Sequence, residues 1–443
     1  MKIPSLFILA TLVAPALLGA EPPALPAGLG TAAEPERAED EDGEALFSGF
    51  VETRLGTRLR EDDTQKDASL GEARVQLQWD QDYRWGQISS TADLVFDPVL
   101  DDHSFDLDAG EGWLELRELN ALLHPSESTD LKAGRQILTW GTGDLLFIND
   151  LFPKDWNAFL IGRDEEYLKA PSDALKLSFY ADLINLDLVY TPVFDADRFV
   201  DGRRLSYFNP RVDAIVGREY PVNVIERDRE GEDGEIALRA HRLWGAAEMA
   251  AYYYRGFWKS PAGMDPATGL STFPRLAVYG ASVRGPMAGG IGYAEVGFYD
   301  SRDDNSGTDP LIRNSEWRFL LGFERELAPE LTGAVQLYRE SMTDHGAYRS
   351  SLATNAFVKD RHRDLVTLRL TQTLINQRLT LSLFNFWSPS EEDGYVRAKA
   401  NYKASDHWIW EVGTNVFYGD QVETFFGQLK DNSNLYIALR YGF

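Results

Sequence analysis

Hydrophobic and polar residues alternate with a period of two through most of this chain. The last segment shows the pattern most cleanly. Leu435, Ile437, Leu439, Tyr441 and Phe443 share one face, while Asn434, Tyr436, Ala438, Arg440 and Gly442 share the other. This is the repeat of a β-strand, whose successive side chains point to opposite faces. Trp317, Phe319, Leu321 and Phe323 alternate in the same way with Glu316, Arg318, Leu320 and Glu324. Val366, Leu368 and Leu370 alternate with Arg363, Thr367, Arg369 and Thr371, and Val396, Ala398, Ala400 and Tyr402 with Arg397, Lys399 and Asn401. From Ala45 onward such segments recur at lengths of about ten residues, the signature of a membrane-spanning barrel. The expected fold is all-β: a transmembrane antiparallel β-barrel over residues 45–443, of about 18 strands with 16 as the alternative.

The connections alternate between short and long. Short ones fall near 83–86, 124–129, 182–185, 242–245, 285–290, 328–330, 375–377 and 404–407. Long ones fall near 60–69, 98–110, 141–172, 195–232, 259–273, 300–313, 343–360, 388–393 and 420–432. With a periplasmic N-terminus, every short turn lies on the periplasmic side and every long loop outside. The apolar set of each strand is expected to face lipid and the charged set the lumen, because a charge at mid-bilayer costs roughly 2–4 kcal/mol. Aromatic clusters near strand ends, such as Tyr252–Tyr254 with Trp258, or Trp408 with Trp410, fit interfacial girdles. The final strand resembles the closing strand of bacterial outer-membrane barrels, where a terminal Phe in such an alternation is the insertion signal. That resemblance assigns the role to Leu439, Tyr441 and Phe443, and implies the barrel-assembly machinery as a partner during insertion.

The chain's other end agrees with export. Lys2 precedes an apolar run from Leu6 to Leu18 and then the small residues Gly19 and Ala20, so residues 1–20 read as a signal peptide. Residues 21–44 are rich in Pro, Ala and Glu and have no aromatic residue, which reads as a disordered acidic periplasmic leader. Its alternative is a docking segment for a periplasmic partner. No other stretch approaches the roughly 18 apolar residues of a spanning helix. Hydrophobic residues make up 44% of the chain, yet mean hydropathy is −0.33, so apolar content is spread in alternation rather than blocked. The chain has no Cys, which excludes disulfides and thiol chemistry. Loss of Lys2 with the signal takes the net charge from −26 to −27, and such acidity argues against nucleic acid as a partner.

One stretch stands out for function. Leu131 to Gly141 runs up one strand into a loop from Thr142 to Ala170. Gly134-Arg135-Gln136 followed by Trp140-Gly141 resembles a motif of porin-like families, including alginate-export porins and a related porin-like family, and the ending from Phe425 to Tyr436 resembles that related family. The resemblance implies an outer-membrane barrel with a transport role and gives no substrate. With Arg135 inward, Leu138 and Trp140 point to lipid, and Lys132 near the periplasmic rim snorkels. The loop holds Leu145 to Ile148, Leu151-Phe152-Pro153 and Trp156, too apolar for free solvation, so it is expected to fold into the lumen as a constriction loop. A lid across the outer mouth is the alternative. Its acids are Asp144, Asp150, Asp155, Asp164, Glu165 and Glu166. The second long loop, 195–232, reads as a solvated surface loop, with lipopolysaccharide binding through divalent cations as the sharper reading.

Lumen-facing positions near the seam carry Arg363, Arg369, Arg397, Lys399 and Arg440. Closure adds Arg54, Arg58 and Arg74, with Glu52 the main counter-charge. A basic wall opposite Asp144, Asp150 and Asp155 sets up a transverse field and a mild anion preference. The alternative is that these bases pair structurally with lumen acids such as Glu316 and Glu324. The six His are scattered without a zinc spacing, and no nucleophile elbow or phosphate loop is present. Residues 303–309 read as a solvated turn rather than a calcium loop. The expected protein is a non-enzymatic passive channel of the Gram-negative outer membrane for small or amphiphilic solutes, without cofactor or metal. It meets outer-membrane lipid and lipopolysaccharide. The alternatives are an exit component of a lipid or polysaccharide export system with an inner-membrane partner, an outer-membrane hydrolase, and a structural or adhesive barrel.

Overall fold

A computed structural model describes residues 46–100, 104–106, 111–354 and 356–443. The signal peptide and acidic leader lie outside the described residues. The chain forms one 18-stranded antiparallel sheet. Its first half comprises β1 (Leu46–Arg58), β2 (Ala68–Tyr83), β3 (Gly86–Phe96), β4 (Leu114–Ser126), β5 (Thr129–Ile137), β6 (Pro171–Phe179), β7 (Asn185–Thr191), β8 (Glu235–Trp244) and β9 (Ala247–Phe257). The second half comprises β10 (Arg275–Met287), β11 (Gly290–Ser301), β12 (Glu316–Ala328), β13 (Leu331–Met342), β14 (His362–Leu374), β15 (Leu379–Ser388), β16 (Asp393–Lys403), β17 (Trp408–Tyr418) and β18 (Asn434–Gly442). Each strand pairs with its neighbour in sequence, and β18 returns to β1 from Phe50↔Gly442 to Arg58↔Asn434. The sheet is closed, so neither terminal strand is left as an exposed edge.

The alternation read from the sequence sets the faces. On β12, Trp317, Phe319 and Leu321 are exposed on the outside, while Leu320 between them is buried inside. Leu439, Tyr441 and Phe443 share the outer face of β18, and Phe443 closes the ladder by exchanging backbone hydrogen bonds of 3.0 Å with Gly49. Short turns gather at one end and long loops at the other. The β10–β11 hairpin turns on Ala288 (φ 49°) and Gly289 (φ 73°). Positive φ at both central residues matches the right-handed strand twist, as a tight hairpin requires.

The apolar core lies inside the barrel. The loop between β5 and β6 contributes Ile148, Phe152, Phe159, Leu160, Ile161 and Leu168, packed with inward side chains such as Tyr299, Leu320, Phe384, Tyr395, Phe417 and Tyr436. Each large apolar side chain removed from water in this way contributes about 1.5–3 kcal/mol.

Candidate functional site

The site is the contact between this inner loop and the barrel wall. After β5 the chain turns inward at Gly141 (φ 90°). Glu295 on β11 gathers the turn, accepting from the backbone N–H of Gly143 at 2.7 Å, the Thr142 hydroxyl at 2.8 Å and the Asn149 amide at 2.9 Å. The Asp144 backbone and the Gln336 amide exchange two bonds of 2.8 Å, and the Asp144 carboxylate accepts from Arg369 at 2.9 and 3.0 Å. Burial pushes the Asp144 carboxyl up, and Arg369 offsets only part of that rise.

A short helix, α1 (Trp156–Ile161), sits inside the barrel, capped by Asp155 accepting from the Ala158 N–H at 2.7 Å. Trp156 donates its indole N–H to Asp197 at 3.1 Å. The helix ends at Gly162, whose φ is 97° and where a Cβ would meet Tyr436 at 2.3 Å. Only glycine satisfies both demands. Two wall arginines hold this reversal by the backbone: Arg54 donates to the Gly162 carbonyl at 2.7 Å and Arg397 to the Arg163 carbonyl at 2.8 Å.

Beyond the reversal, three consecutive acids meet the basic wall. Asp164 lies 3.5 Å from Arg440 and Glu166 3.7 Å from the same residue. Glu165 reaches Arg369 at 3.5 Å, Lys399 at 3.6 Å and Arg397 at 3.9 Å. Burial raises the Glu165 carboxyl, but Lys399, Arg397 and Arg369 outweigh it and hold the group below the ordinary carboxylate range. Asp164 is likewise held low: burial is outweighed by Lys399, Arg440 and Arg54. Glu166 goes the other way, raised by burial and then by the Asp164 charge.

A second cluster lies around Arg74, which donates to Glu72 at 2.9 Å, to Glu115 at 2.8 Å and to Asp93. The Arg74 and Arg117 guanidinium groups lie 4.2 and 4.3 Å from the Tyr167 ring centre, and the Tyr167 hydroxyl donates to Asp93 at 2.8 Å. Arg163 joins the cluster through Glu72 at 2.7 Å. A cavity of about 150 Å³ opens beside it, lined among others by Asp97, Glu115, Asp155, Arg163, Arg198 and Arg204.

Several sequence expectations are corrected. Arg369, Arg397, Lys399 and Arg440 do share a wall with Arg54 and Arg74, but the loop lies in contact with that wall rather than across a gap. The acids that meet it are Asp144 and Asp164 to Glu166. Asp150 instead pairs with Lys154 inside the loop at 2.8 Å, and Asp155 caps α1 and faces Arg198 at 3.3 Å. Arg58 and Arg363 lie apart, Arg58 donating to Asn432 at 2.6 Å and Arg363 to Glu391 at 2.6 Å.

Arg135 does not face inward. It pairs in register with Asp173, one residue out of phase with the buried Ala174, and lies on the face of the exposed Leu175 and Leu177. Its charge is met there by Asp173 at 2.6 Å. Gln136 and Leu138 turn inward instead, and Trp140 packs against Phe152 (5.0 Å) and Tyr252 (6.2 Å). Lys132 therefore faces the lumen side and has no need to snorkel. Loop 195–232 is not simply solvated: Arg204, Leu205 and Ser206 are buried, with Arg204 bonded to Asp97 and Ser206 accepting from Asn432.

The reading from sequence did not single out Glu72, Glu115, Glu295 or Tyr167. A signal existed for the first, because Leu70, Glu72, Arg74 and Gln76 recur at period two on one face of β2. Nothing local marks Glu295, whose partners lie about 150 residues away in the chain.

No protein-family model matches the chain, and no curated protein matches it. Among solved structures, Pseudomonas aeruginosa OccK5 (OpdH) is 9% identical, with 90% of this chain and 98% of that one covered at a TM-score of 0.53. P. aeruginosa OccK11 (OpdR) is 10% identical, with 90% and 95% covered at 0.51. Acinetobacter baumannii OccAB3 is 9% identical, with 90% and 99% covered at 0.52. At these identities the likeness is one of fold: the chain is a closed, porin-like 18-stranded β-barrel.

Proposed function

We propose that this chain is a Gram-negative outer-membrane channel for small solutes, narrowed from within by the loop between β5 and β6. The observation that carries this reading is that the loop lies inside a closed barrel and is bound to the wall through charged groups. The short turns face the periplasm and the long loops the outside, as in bacterial barrels. Leu439, Tyr441 and Phe443 serve as the signal read by the barrel-assembly machinery, and the apolar outer wall meets lipid.

The charge balance moderates the selectivity. Arg54, Arg369, Arg397, Lys399 and Arg440 share one contact zone with Glu52, Glu411, Asp144, Asp164, Glu165 and Glu166. Five fixed cations against six acids leave little net field, so selectivity near neutral pH is weak. Reconstitution of folded protein into planar bilayers tests the reading. Discrete conductance steps are the expected result, and a bilayer that stays at baseline at high protein density rejects a channel.

A further inference from the structure

The lipid-facing wall carries a cluster of cations at its long-loop end. Arg255 on β9 pairs in register with Ala277 on β10, and Ala277 pairs with Asp300 on β11. Alternation puts Arg255, Ala277 and Asp300 on the outer face with the exposed Tyr279. Two residues further toward the long-loop end, Arg275 lies diagonal to Arg255 on the same face, within roughly 7–8 Å by sheet geometry. Arg302 stands beside Arg275, because its N–H donates to the Arg275 carbonyl at 2.9 Å and extends the ladder one step past β11. All three arginines are exposed. Among the described residues, none of the three guanidinium groups has a hydrogen-bond or ion-pair partner.

Two outward arginines elsewhere on the wall differ. Arg339 is paired with Asp364 at 2.6 and 2.8 Å, and Arg135 with Asp173 at 2.6 Å. An aromatic layer lies directly beneath the cluster, where Tyr253 and Tyr279 meet at 5.3 Å and Phe298 and Trp317 at 4.8 Å. Such rings settle at the boundary between hydrocarbon and headgroups. Guanidinium groups just beyond that boundary stand at headgroup phosphate depth, and the guanidinium fork matches phosphate oxygens. Three cations face two acids, Asp300 and Asp303, whose carboxylate accepts from the Arg275 backbone N–H at 2.8 Å, which leaves a net positive patch on a chain whose net charge is −26.

We propose that Arg255, Arg275 and Arg302 form a binding site for a phosphorylated glycolipid of the outer leaflet, whose acyl chains lie along the Tyr253 and Tyr279 wall. The proposal rests on the outer-membrane reading above. The test is binding of bisphosphorylated lipid A to the folded full-length barrel in neutral detergent, followed by native mass spectrometry. Phosphate-free lipid A and inorganic phosphate serve as the comparison ligands. Wild type should retain bisphosphorylated lipid A in preference to the phosphate-free form, and inorganic phosphate at equal concentration should not displace it. Arg255→Gln with Arg275→Gln should lower retention by on the order of tenfold. Arg302→Gln alone, one residue past the end of β11, should lower it less. Arg339→Gln with Asp364→Asn should leave it unchanged. Equal retention by wild type and the Arg variants overturns the proposal, and displacement by inorganic phosphate reduces the patch to a simple anion site. Planar-bilayer conductance of the same preparations separates this outcome from failure of the channel reading.

Discussion

Glu52 and Arg440 face each other across the seam that closes the barrel, in register and joined by a hydrogen bond of 2.9 Å. Arg440 also faces Asp164 and Glu166 of the inner loop. One cation therefore serves both the closure of the wall and the docking of the loop. Arg440→Gln removes both contacts, and we expect it to cost about 1.5–3 kcal/mol, the range for hydrogen bonds to charged groups. The urea midpoint of the folded barrel in lipid should fall. An unchanged midpoint would place the seam's stability in the backbone ladder alone.

Gly162 concentrates the loop's conformational demand. Gly162→Ala puts a methyl group against Tyr436 at a φ of 97°, and backbone strain of this kind costs on the order of 1–3 kcal/mol. We expect the variant to fold and insert with a noisier, larger single-channel current, because the Arg54 and Arg397 bonds to this reversal loosen. Wild-type current traces would show that the reversal does not hold the loop.

The barrel was legible in the sequence because its outer face is largely apolar, as the exposed Trp317, Phe319 and Leu321 ladder displays residue by residue. The pattern failed where it had nothing apolar to read. In Lys132-Ala133-Gly134-Arg135-Gln136 either phase places a polar residue outward, and the charge rule chose Arg135 for the lumen. The structure instead neutralises Arg135 with Asp173 on the neighbouring strand, a partner about 40 residues away that periodicity does not expose. The loop acids were recognised as a group. Which of them meet the wall depends on the chain reversal at Gly162, a tertiary feature.

Acidification should shift selectivity toward anions. Asp144 and Glu166 titrate above the ordinary carboxylate range, so they lose charge first as pH falls, while Asp164 and Glu165 are held low and keep theirs. Neutralising Asp144 and Glu166 leaves the five cations of the contact zone with less opposing charge. The zero-current potential in a salt gradient should move in the anion direction in mildly acidic buffer. The stability from Asp164 and Glu165 is present above the unfolded carboxylate pKa of about 4 and is lost only as pH falls through their lower folded values. Glu165→Gln should produce the anion shift at neutral pH. A potential that is flat with pH and unmoved by Glu165→Gln would remove these groups from the conduction path.

Phe443 completes the outer apolar ladder of β18 and stands half exposed on that wall. Phe443→Ala should reduce the folded, heat-modifiable species in outer-membrane fractions without altering the channel formed by the molecules that do insert. Wild-type accumulation would remove the insertion role from this residue.

The most direct measurement is single-channel conductance after the inner loop is shortened. Replacing residues 145–160 by a short Gly-Ser link removes α1 and most of the loop's apolar core contacts while leaving Glu165 and the strands in place. We expect a several-fold rise in conductance from a barrel that still shows heat-modifiable folding. A folded, shortened barrel with wild-type conductance would contradict the central claim that this loop limits passage.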